Sequence, residues 1–151
     1  MELQEEVVIP LPVDVVFAAL NNPDILKQSI PGCEELIKHS DTQMEATVVV
    51  KFGPVKASFK SDVTLDPSQG PGKFDLSGKG DAGIAGFANG GANVTLVEQD
   101  GGTLLTYVVT IDVTGKLAQV GSRLMEGTTK RLAKKFFTNF EEAVSGEAKP
   151  V

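Results

Sequence analysis

Apolar and polar residues alternate with a period of two through the middle of the chain and with a helical period at its end. Leu3 to Ile9 carries the β-branched run Val7-Val8-Ile9 and stops at Pro10, which predicts a first strand. Pro12 and Asp14 suit the first turn of a short helix with Val13, Phe17 and Leu20 on one side. Asn21 or Asn22 can cap a second short helix that opens with Pro23 and Asp24 and ends before Pro31-Gly32. From there the period becomes two. A strand is predicted over Glu34–His39, followed by a turn to Thr42. Met44, Ala46, Val48, Val50 and Phe52 then alternate with polar neighbours up to Gly53-Pro54, and Val55, Ala57, Phe59, Val63 and Leu65 do so after it. The dense turn signal at 66–72 separates these from strands over Lys73–Asp81 and Phe87–Val97. Asp100-Gly101-Gly102 predicts a hairpin into Thr103–Thr114, where Leu105, Tyr107, Val109, Ile111 and Val113 share a face.

The last stretch, Gly115–Val144, holds no proline and repeats apolar residues at Leu117, Val120, Leu124, Leu132, Phe136 and Phe140. This spacing predicts one continuous helix, roughly 43 Å long at ~1.5 Å per residue. Gly121 and Thr128 fall on the same stripe, so its apolar face is partly hollow. Strands with one wet and one dry face, followed by a helix and lacking βαβ alternation, indicate an α+β fold with an antiparallel sheet curled around the long helix. A single domain over 1–145 and a short flexible tail over 146–151 are expected.

With 41% apolar and 23% charged residues the chain has an ordinary globular composition. The net charge of −6 argues against non-specific nucleic-acid binding. Residues 115–144 nevertheless carry +3 and the remainder −9. Lys130, Arg131, Lys134 and Lys135 form a basic cluster that suits either a solvent face or a patch for an acidic partner or an anionic membrane. The acidic N-terminal stretch has no signal-peptide pattern, and no apolar run reaches spanning length, so a cytoplasmic location is expected.

Candidate chemistry is sparse. Gly78-Lys-Gly80-Asp-Ala-Gly83 is a literal G-x-G-x-x-G, but the strand and further glycines after it leave no helix N-terminus for a pyrophosphate. These glycines are better suited to bends, bulges and a low inner sheet surface that leaves space beneath the helix. His39 is the single histidine and falls in a turn. Cys33 is the single cysteine, and its neighbours Glu34 and Glu35 oppose thiolate formation. Asp62, Asp66, Asp75, Asp81 and Asp112 are spread over outward positions and turns, without a metal-binding spacing. Neither a catalytic set nor a metal site is predicted. Eight phenylalanines suit either a packed core or the lining of an apolar cavity.

The segments PDILKQSIPGCEEL (23–36), KFGPVKASF (51–59) and GKLAQVGSRLMEGTTKRLAKKFFTNFEEAV (115–144) together resemble the carbon monoxide dehydrogenase CoxG family of the START-like, or helix-grip, superfamily. The likeness spans roughly residues 2–145. It implies a helix-grip fold: a curved antiparallel sheet of about seven strands around a long C-terminal helix, with two short helices after the first strand. It also implies a cavity between helix and sheet, no intrinsic cofactor, and a bound quinone or lipid. The partners it implies are molybdenum hydroxylase subunits, together with peripheral contact at the inner face of the cytoplasmic membrane. A non-enzymatic accessory protein that aids membrane recruitment or electron delivery is therefore expected. Expected cavity residues are Phe17, Leu20 and Ile30 near the entrance, Phe52, Phe59, Phe74, Phe87 and Tyr107 on the sheet, and Leu117, Val120, Gly121 and Leu124 on the helix. Two alternatives remain: a cyclase or dehydratase of the same fold, with Tyr107 and Asp112 as its polar groups, and a ligand-free docking adaptor using the basic cluster.

Overall fold

The computed structural model describes residues 1–148. Seven strands are present: β1 (Glu2–Ile9), β2 (Cys33–Lys38), β3 (Gln43–Phe52), β4 (Val55–Asp66), β5 (Lys73–Asp81), β6 (Phe87–Gln99) and β7 (Gly102–Val113). They form one antiparallel sheet in the order β1-β7-β6-β5-β4-β3-β2. The meander from β2 to β7 follows from tight connections between alternating strands, and β1 closes the far edge against β7. Helices α1 (Val13–Leu20) and α2 (Pro23–Ser29) lie between β1 and β2, and α3 (Ser122–Ala148) follows the sheet. The whole is an α+β helix-grip fold, as the alternation and the final helical period predict.

Local chemistry explains the short helices. The Asn22 side chain accepts hydrogen bonds from the Asp24 and Ile25 amides at 2.9 and 3.4 Å, and Pro23 occupies the first turn, where its missing N–H costs nothing. After α2 the chain reverses at Gly32, whose φ is +76°. A Cβ there would sit 2.1 Å from the Val49 carbonyl oxygen, so only glycine lets the turn lie against β3, where the Val49 amide donates to the Gly32 carbonyl at 2.9 Å.

The continuous helix predicted from Gly115 is not formed. Residues Gly115–Val120 make a 3-10 turn, and α3 begins only at Ser122. Gly115 (φ +72°) and Gly121 (φ +90°) bracket the turn in backbone conformations closed to an α-helix. At the other end, α3 runs through Ala148, so the first part of the expected tail is helical; 149–151 lie outside the described residues.

The interior is divided in two. A large cluster joins α1, α2, β1, the β5–β7 strands and the C-terminal half of α3, with Phe74, Leu105, Phe140 and Val144 at its centre. A smaller one gathers Val50, Phe52, Ala57, Phe59, Ala85, Leu117 and Met125 near the β3–β4 hairpin and the 3-10 turn.

Candidate functional site: an apolar cavity beneath the long helix

Between the two clusters lies a cavity of about 450 Å³. Its floor is the inner face of β4, β5 and β6, where side chains shrink along the strands. On β5 the inward series runs Phe74, Leu76, Gly78, Gly80, and on β6 it runs Leu96, Val94, Ala92, Gly90, Ala88. The register sets these small positions side by side, with Gly78 opposite Gly90 and Gly80 opposite Ala88. The missing side chains are the space. Val48, Val50, Val63, Val109, Ile111 and Val113 form its flanks, and Ile30 and Pro31 close one side. Met125, Thr129, Leu132, Ala133 and Phe136 of α3 form the roof.

Of the residues expected at the cavity, Ile30, Phe52 and Phe59 line it. The others lie elsewhere, each for a physical reason. Phe74 is buried at the filled end of β5, and Phe17 packs edge-on against it with centroids 6.2 Å apart. Leu20 is buried in the same cluster. Phe87 is half exposed, because alternation along β6 turns Ala88 inward and Phe87 out. Tyr107 does face inward, but Phe137 stacks on it at 5.4 Å and covers it. Leu117 is fully buried in the smaller cluster. Val120, Gly121 and Leu124 border a separate depression with Arg123, Gly127 and Arg131, because the break at Gly121 resets the helical phase. The roof stripe Met125-Thr129-Leu132-Phe136 was in the sequence at spacings of four, three and four, hidden by counting phase from Leu117 across that break.

The polar chemistry is quiet. The Tyr107 hydroxyl donates to Glu5 Oε2 at 2.8 Å, and burial, with the adjacent carboxylate, pushes its pKa well above the ordinary value. Asp112 lies on the other face of β7. Partial burial raises the Cys33 thiol pKa, which opposes thiolate formation. His39 is exposed and lies 3.5 Å from Glu45. Asp81 accepts from the Gly83 amide at 2.8 Å, so the G-x-G-x-x-G ends in a 3-10 turn and not a helix. No group of three or more metal-ligating side chains occurs among the described residues.

The basic cluster on α3 is interleaved with acid. Lys130 pairs with Glu126 at 3.2 Å, and Lys130 and Lys134 share a groove with Glu5, Glu6 and Glu141. Arg131 borders the Gly121 depression, and Lys135 is exposed. A more one-sided surface lies at the end of the sheet formed by the β3–β4, β5–β6 and β7–α3 connections. Lys51, Lys56, Lys79, Lys116 and Arg123 surround that end, against Asp81 and Asp112, and Ile84 and Phe87 project from it at 88% and 53% exposure. No helix among the described residues is long and apolar enough to cross a membrane.

Solved structures with this fold are numerous. A conserved protein from Geobacillus kaustophilus superposes with a TM-score of 0.89 at 25% identity, covering 97% of this chain and 96% of that one. A START superfamily protein from Mycobacterium smegmatis gives 0.73 at 10% identity, over 97% and 99% of the two chains. The Zhui aromatase/cyclase from Streptomyces sp. R1128 gives 0.69 at 11% identity, over 99% and 96%. The last two likenesses are of fold alone. No curated protein matches the chain. The family model for the carbon monoxide dehydrogenase protein CoxG matches residues 6–145, which include every cavity-lining segment, and the chain belongs to that family.

Proposed function

We propose that this protein is a non-catalytic accessory subunit that carries an uncharged hydrophobic molecule, quinone- or lipid-like, for a carbon monoxide dehydrogenase or related molybdenum hydroxylase. One observation carries the reading: an apolar chamber of about 450 Å³ is held open by glycine and alanine on the floor of an otherwise well-filled sheet. Close packing is the rule in protein interiors, and a large apolar void lined by small residues suits a guest. Family membership supports the dehydrogenase partner. The cyclase alternative draws less support, because Tyr107 is covered and Asp112 points away from the chamber. The test is extraction of the purified protein with organic solvent and mass spectrometry of the extract. A quinone or neutral lipid at near-stoichiometric yield is expected. Protein that is empty as isolated and also fails to take up added quinone overturns the proposal.

Membrane recruitment, the second part of this reading, is better supported by the loop end than by the α3 cluster. Exposed isoleucine and phenylalanine among basic side chains fit an anionic lipid surface, where each basic residue adds about 1 kcal/mol. The cavity also reaches this end, since Phe52, Ala88 and Val113 border it. In co-sedimentation, binding to phosphatidylglycerol vesicles and not to phosphatidylcholine vesicles is expected, with loss in Ile84→Asp. Equal binding by that variant refutes the assignment.

A further inference from the structure

We infer, resting on the ligand-binding reading above, that Ser61 determines specificity in the cavity. Its hydroxyl recognises one uncharged hydrogen-bonding atom, a carbonyl or hydroxyl oxygen, on an otherwise apolar guest.

Polar side chains on the inner face of β3–β7 are few, and most already have partners. The Thr103 hydroxyl donates to the Leu11 carbonyl at 2.7 Å, and the Tyr107 hydroxyl donates to Glu5 at 2.8 Å. In the roof, the Thr129 hydroxyl donates to the Met125 carbonyl at 2.8 Å. Ser61 differs. It alternates inward on β4 between Phe59 and Val63, lines the cavity, and makes no side-chain hydrogen bond to protein among the described residues.

The neighbours of Ser61 keep its oxygen reachable. It pairs with Ala46 on β3 and Gly80 on β5, both small. A Cβ on Gly80 would lie 3.1 Å from Ser61 Oγ and 2.9 Å from the Phe59 ring, so the hydroxyl points into the notch that glycine leaves. Glycine here does more than enlarge the chamber: it exposes a donor beside an aromatic edge.

The chemistry selects the class of guest. A guest that fills the notch displaces water from a hydroxyl, and a pure hydrocarbon leaves that hydroxyl unpaired at a cost. A carboxylate fares worse, since no cationic side chain turns inward to meet it among the described residues; Lys79, the one charged residue at the floor, alternates outward between Gly78 and Gly80. A neutral molecule with a single oxygen at the right depth satisfies the site.

The test compares two probes of nearly equal shape, 2-acetylnaphthalene and 2-ethylnaphthalene, titrated into the full chain and into Ser61→Ala, with melting curves confirming that both are folded. The ratio of dissociation constants between the two proteins cancels differences in aqueous solubility. Ser61→Ala is expected to weaken the acetyl probe by about three- to tenfold while the ethyl probe binds equally well or better. Binding of both probes with an unchanged preference overturns the role of Ser61 and leaves the cavity reading standing. Failure of both probes to bind the wild-type chain overturns the ligand-binding reading and this inference with it.

Discussion

The two ends of β5 and β6 belong to the same strands, share one register and face the same helix, yet one end is packed and the other hollow. At the packed end, Phe74 pairs with Val94, beneath the part of the fold closed by Phe17 and Phe140. Four residues further along β5, Gly78 faces Gly90, and the roof of Met125, Leu132 and Phe136 spans open space. Backbone hydrogen bonding is indifferent to this change. Side-chain volume alone divides the sheet into a region that stabilises the fold and a region that is free to accept a guest.

Mutations at the two ends should therefore differ in kind. Phe74→Ala opens a void at a fully packed site and should cost about 3–5 kcal/mol in urea unfolding. Phe136→Ala, which already borders the cavity, should cost clearly less; equal losses would mean that the cavity is filled in solution by collapse of the roof.

Gly121→Leu separates the helix junction from the site. Its backbone, at φ 90° and ψ 152°, is a conformation essentially reserved for glycine, so the substitution should cost about 1–3 kcal/mol. Affinity for a cavity ligand should be unchanged, because Gly121 lies on the separate depression. A large loss of affinity with the stability retained would place Gly121 back at the chamber.

Gly78→Leu does the reverse. A Cβ at Gly78 would lie 3.3 Å from the Asp62 carbonyl oxygen and 3.6 Å from a Val63 methyl, contacts a strand can accommodate with small shifts. The side chain should fill the floor, lower ligand affinity at least about tenfold and leave the melting temperature near that of the wild type. Full retention of binding would sink the claim that glycine makes the space.

The smallest effect concerns Tyr107, on the packed side. Its folded pKa is raised by burial first and by the Glu5 carboxylate next, so the folded state holds the phenol proton more tightly than the unfolded chain does. The contribution is complete below the unfolded pKa of about 10 and is lost as pH rises above it. Tyr107→Phe should cost about 1 kcal/mol at pH 7 through loss of the bond to Glu5 and should flatten the alkaline fall in stability. An alkaline unfolding profile identical to wild type would show that other groups control it.

Much of this was legible in the chain. Alternation located the strands to within a residue or two, because an antiparallel sheet with one buried face writes its geometry into every second position. The helix caps and the Pro31-Gly32 reversal were equally local. The site was less legible. Phe17, Leu20, Phe74 and Tyr107 are apolar and inward, as a lining residue must be, but periodicity cannot say whether an inward residue meets a void or another side chain. Phe87 sits at a strand end, where a shift of one residue exchanges the faces. Counting through Gly121 as though the helix were unbroken put Leu117 to Leu124 in the roof and missed Met125 and Thr129.

The sequence alone therefore determined the α+β class, the strand order implied by short connections, the final helix and the family, since each rests on local spacing or on motifs in series. Tertiary structure decided where the emptiness lies. A cavity is a relation between facing surfaces: Gly78 matters because Gly90 lies opposite it and because α3, displaced in phase by one glycine, lays Met125, Leu132 and Phe136 over both. No window along the chain contains that relation, because the residues that share the void come from separate strands and a helix brought together only by folding.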